Sequence, residues 1–70
     1  MSGAELRTGH VTQFDRRIGL GEITDGDGRV WPFHCAMLID GSRMIELGTA
    51  VQFRPQFHVI REEAFEISSL

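Results

Sequence analysis

Seventy residues with 41% hydrophobic content make one small domain, which buries only about 60% of the surface its unfolded chain exposes. A formal charge of −3 shows no overall basic footprint of the kind a strong nucleic-acid binder carries. The single cysteine, Cys35, excludes an intramolecular disulfide, no apolar run approaches the roughly 20 residues of a membrane span, and MSGAELRTG lacks a signal-peptide core, so a cytoplasmic chain without membrane contact is expected.

Glycines and turn residues recur about every 8 to 12 positions, the rhythm of a small all-β barrel or sandwich. After an N-terminal tail over residues 1–7, a first strand is expected from Thr8 to Asp15, with Arg16-Arg17 as its corner. A second strand, Ile18 to Thr24, sets Gly19 and Gly21 on one face and Leu20 and Glu22 on the other. Glycines inside a strand mark sharp curvature or the close approach of another backbone. Asp25-Gly26-Asp27-Gly28 is a hairpin turn, since Asp-Gly pairs supply positive φ. The third strand, Arg29 to His34, puts Trp31 and Phe33 on the core side and Val30, Pro32 and His34 on the other. Pro32 cannot donate to a ladder, so it belongs at an edge or a bulge.

Residues Cys35 to Glu46 have no period of two and read as a connection. It holds a short helical turn near Ala36 to Ile39, a reversal at Asp40-Gly41-Ser42, and a return over Met44 to Leu47. A fourth strand follows Gly48, with Val51 and Phe53 inward, Gln52 and Arg54 outward, and Pro55 interrupting it. In the last strand Phe65 and Ile67 share one face, Ala64 and Glu66 the other. Five strands without a long helix close naturally as a small antiparallel OB-type barrel, with its core over residues 8–67.

Three patterns that could carry chemistry have simpler readings. Gly19-Leu20-Gly21 opens no helix and precedes no Gly-Lys-Ser, so it is barrel curvature rather than a phosphate loop. The twelfth position from Asp25 is Ala36, where a calcium loop needs glutamate. His34-Cys35 supplies two adjacent ligand types, but His10 and His58 give no second pair at a zinc spacing. Adjacent strand residues also point to opposite faces, which is poor geometry for a Cys–His nucleophile. No catalysis, metal or cofactor is expected.

The first half resembles the cold-shock domain, whose opening reads roughly G-x-V-K-W-F-N-x-x-K-G-F-G-F-I-T. Gly9, Val11, Phe14, Gly19, Gly21, Ile23 and Thr24 fall at that spacing without a gap. Phe33-His34 is similar to the V-H of the second signature, V-F-V-H-F-S, and Gly48, Val51, Phe53, Ala64 and Ile67 lie along the later strands. The resemblance spans about residues 9 to 67. It implies a single-strand-binding face on strands one to three, built from aromatic stackers. Both signatures are degenerate here. Gln13 stands where the family has its platform tryptophan and Thr12 where it has lysine. Leu20 and Glu22 replace two phenylalanines, Ile18 a lysine, and Pro32 and Cys35 the phenylalanine positions around His34.

Two functions follow. The resemblance implies an atypical module that binds single-stranded RNA or DNA weakly through Phe14, His34, Arg16 and Arg17. Base–aromatic stacking contributes about 1–3 kcal/mol per base, so the missing rings cost most of the affinity. The composition suits an OB-fold interaction module that has lost nucleic-acid binding and meets a protein partner. Its face would be Leu20, Val30, Pro32 and Met37, rimmed by Arg17 and Glu22.

Overall fold

The computed structural model describes residues 6–41, 44–57 and 62–70. Five strands, β1 (Arg7–Asp15), β2 (Leu20–Asp25), β3 (Val30–His34), β4 (Ala50–Phe57) and β5 (Glu62–Ser69), form one sheet in the order β3-β2-β1-β4-β5. All four ladders are antiparallel. A 3-10 turn, Cys35–Met37, leads away from β3. Leu38 then bridges to Ile67, and the Ile39 amide donates to the Ile67 carbonyl at 2.9 Å. The two ends of the sheet thus curl toward each other, with no ladder between β3 and β5 among the described residues. Among those residues, no helix is long and apolar enough to cross a membrane.

Alternation builds the core. Val11, Ile23, Trp31, Phe33, Val51 and Phe53 are each no more than 2% exposed, as their spacing along four strands predicts. Leu38, Ala64 and Ile67 complete the cluster. Register explains the packing: Val11, Ile23 and Trp31 stand side by side across β1, β2 and β3. The Trp31 ring meets Phe53 from β4 at 5.6 Å between centroids, tilted by 56°.

Beside this aromatic pair lies a buried carboxylate. Asp25 ends β2 and is 6% exposed. Its Oδ2 accepts from the Trp31 indole Nε1 at 2.9 Å, and its Oδ1 accepts from the amides of Asp27 (2.9 Å) and Arg29 (3.0 Å). The Arg7 guanidinium stands 3.6 Å from Oδ2. The Arg7 and Arg29 guanidiniums also lie over the Trp31 ring, 5.4 Å and 4.8 Å from its centroid. Asp25 is therefore the hub of the β2–β3 turn as well as part of it. The Trp31 N–H, then the Arg29 and Asp27 amides and the Arg7 charge, hold its carboxyl below the usual range against burial, which pushes it up.

Several expectations need correction. Gly19 lies in the corner at φ +75, outside β2, so it does not share a strand face with Gly21. Arg7, assigned to a tail, opens β1, and β5 continues past Ile67 to Ser69. Pro55 does not interrupt β4. The β1 ladder ends at the Arg7–Phe53 pair, so beyond Phe53 the strand is paired only with β5, and one side tolerates a missing N–H. Phe65 and Ile67 do not share a face, because a bulge shifts register between Gln52 and Arg54. Glu66 takes φ +51 there, Ala64 and Ile67 turn inward, and Phe65 is only half-buried. The helical turn is one 3-10 turn starting at Cys35, with Leu38 buried behind it. Of the Asp40-Gly41-Ser42 reversal, Ser42 lies outside the described residues, as does His58.

Trp31→Ala should cost about 3–5 kcal/mol, the usual figure for deleting a buried large aromatic. Thermal or urea melts should show a variant largely unfolded at room temperature; a melt within a few degrees of the parent would remove Trp31 from the core. Asp25 also makes stability depend on pH. Its pKa is held lower in the folded state, so its contribution is complete above the ordinary carboxylate value of about 4 and is lost as pH falls below that value through the lower folded one. Asp25→Asn should therefore lower Tm at neutral pH, and its deficit relative to the parent should narrow below about pH 4.

Candidate functional site

The geometry of the β1–β3 face is set by one irregularity. Between Val11 and Gln13 the β1–β2 register slips, and Thr12 is the extra residue. Its hydroxyl lies 3.0 Å from that of Thr24 and 3.4 Å from the Glu22 carbonyl, to which it donates. Beyond the bulge the side-chain parity inverts. Gln13 now stands beside Glu22, and Glu22 beside Pro32, in one row across the outer face. Asp15, Leu20 and His34 form the next outer row.

Phe14 consequently pairs with Gly21, which pairs with Phe33, on the inner face. The Phe14 and Phe33 rings stack 6.0 Å apart at 10°. Phe14 is half-buried against the core, so it is not a freely outward ring as the resemblance implies. Gly21 makes this possible. A Cβ at that position would sit 2.7 Å from both the Phe33 ring and the Gln13 carbonyl.

The corner brings up the cations. The Arg17 amide donates to Asp15 Oδ1 at 2.9 Å, and the Gly19 amide to the Asp15 carbonyl at 2.8 Å, which tightens the turn after β1. Both Arg16 and Arg17 are exposed on it. At the end of β3, exposed His34 accepts the Ala36 amide on Nδ1 at 3.0 Å and so caps the 3-10 turn. Nε2 is the remaining polar atom of that ring.

Phe14, Arg16, Arg17 and His34 all line one open groove of about 960 Å³. Leu20, Glu22 and Pro32 of the apolar face line it too, whereas Val30 and Met37 do not. Two further lining residues escaped the sequence reading. Leu47 enters from the connection before β4 and Glu63 from β5, and neither carries a local signal that would place it there. The groove is mixed in charge, lined by Asp15, Glu22 and Glu63 as well as by Arg16 and Arg17.

No protein-family model matches the chain, and no curated protein matches it in sequence. Gly21→Ala tests the architecture of the groove floor. Backbone and ring both obstruct the new methyl, so a loss of about 1–3 kcal/mol is expected from chemical denaturation, the usual range for overpacking. Near-ultraviolet circular dichroism should change with it as the Phe14–Phe33 stack separates.

Proposed function

We propose that this chain is an OB-type barrel similar to the cold-shock domain, and that its β1–β3 groove binds single-stranded nucleic acid weakly. The observation that carries the reading is convergence. Phe14, Arg16 and Arg17, from the end of β1 and the corner after it, border the same groove as His34 from the end of β3. The strand order agrees with a partly open five-stranded barrel: β1 lies between β2 and β4, and the sheet ends curl together. The binding chemistry is modest. Two arginines supply phosphate contacts, His34 offers a ring, and Phe14 presents only part of its surface. Glu22 repels phosphate from the middle of the face.

A protein partner is the second reading, favoured by large apolar side chains left in solvent. Leu20 is 46% exposed, Val30 49% and Met37 37%. With Pro32 and Glu22 they make a mixed face of the type protein interfaces use.

Titration of the chain with a labelled oligothymidine at several salt concentrations separates the two. The expected affinity is micromolar or weaker at physiological salt, with a shallow salt slope, since each neutralised phosphate of a single strand adds only about −0.7. Arg16→Ala with Arg17→Ala should weaken binding and flatten the slope. Glu22→Phe should tighten it, by removing a repelling charge and adding a ring that stacks for about 1–3 kcal/mol. No binding at low salt by the parent or by Glu22→Phe would sink the nucleic-acid reading and leave the protein surface.

A further inference from the structure

We propose that, within this groove, Gln13 and Glu22 together select guanine. The inference rests on the nucleic-acid reading above and gives the central carboxylate a purpose. Gln13 and Glu22 are direct cross-strand partners on the outer face and both line the groove. Side chains so placed have Cβ atoms about 4.5–5.5 Å apart, so their polar ends reach one plane. Gln13 is exposed and Glu22 half-buried, and among the described residues neither side chain is taken up by an ion pair or hydrogen bond.

Their combined chemistry is specific. A carboxylate only accepts, whereas the glutamine amide can donate. Side by side they display donor, acceptor, acceptor. Guanine's Watson–Crick edge is the complement: O6 accepts, and N1–H and N2–H both donate. No other base gives the carboxylate two donors. Adenine has one donor on that edge, thymine and uracil have one between two acceptors, and cytosine turns two acceptors toward the pair. Pro32 completes the row with apolar surface and no N–H to compete. A charge that repels phosphate therefore faces a base, and the arginines of the corner meet the backbone. Single-strand recognition reads bases on this edge once they are unstacked.

The test uses the full chain and oligothymidines in which one central base is guanine, hypoxanthine, adenine or cytosine, followed by fluorescence anisotropy. Guanine should tighten binding about tenfold over the all-thymine strand, the scale of a good bidentate contact. Hypoxanthine, which lacks the N2 amino group, should lose most of that gain. Glu22→Gln, checked for an unchanged melt, should abolish the guanine preference, read as the ratio of guanine-strand to all-thymine-strand affinity. Equal affinity for guanine and adenine strands, or a preference that survives in Glu22→Gln, would overturn this inference and leave the groove a nonselective site. Failure of every strand to bind would overturn the nucleic-acid reading itself, and the guanine proposal with it.

Discussion

The Asp25 carboxylate is the constraint on which the rest of this small structure turns. Burying a charge is costly unless each of its lone pairs is engaged. Here the partners come from three places: the Trp31 indole, two amides of the β2–β3 turn, and the Arg7 guanidinium at the start of β1. Meeting that need fixes the turn, orients Trp31, and ties the first residue of β1 to the far end of β2. Trp31, once oriented, presents its ring to Phe53 and so joins the first three strands to β4. A domain this size has few kcal/mol to spare, so one polar hub that aligns the largest core residue has wide effects.

At the other end of β1 a second constraint divides core from groove. The bulge at Thr12 inverts parity, sending Gln13 outward beside Glu22 and Phe14 inward over Gly21. The absence of a side chain at Gly21 then lets two phenylalanine rings lie flat together. Floor and wall of the groove thus share an origin. The same extra residue that seals the core beneath Phe14 raises an amide and a carboxylate side by side above it.

Where alternation is unbroken, the sequence was legible. Trp31, Phe33, Val51 and Phe53 occupy the core as their period of two requires, and Pro32 sits on an edge strand because it lacks a donor. Legibility ends at the bulges, since one inserted residue reverses every later side chain in a strand. That is why the half-burial of Phe14, and the opposite faces of Phe65 and Ile67, do not follow from a period of two. Nothing about a glutamate announces that Glu66 will adopt positive φ. Asp25 was legible as a turn residue, but its bond to Trp31 depends on hairpin register rather than on any motif. For the groove, Arg16, Arg17 and His34 were visible as polar residues flanking strands, and Gln13 and Glu22 only as polar residues inside strands. Leu47 and Glu63 arrive through tertiary folding from distant segments, beyond the reach of local reasoning.

The edges of the sheet carry a consequence for self-association. An exposed edge strand is a template on which another chain can add and propagate into aggregates. On β3 the middle of a five-residue strand is Pro32, so an incoming strand would find no N–H at its central rung. On β5 the bulge at Glu66 bends the strand, and Ile67 is already engaged by the Leu38–Ile39 segment. Neither edge offers the long, flat, fully donating run that templated growth requires. Leu20 and Val30 thus stand in solvent beside edges that are poorly suited to templated growth among the described residues.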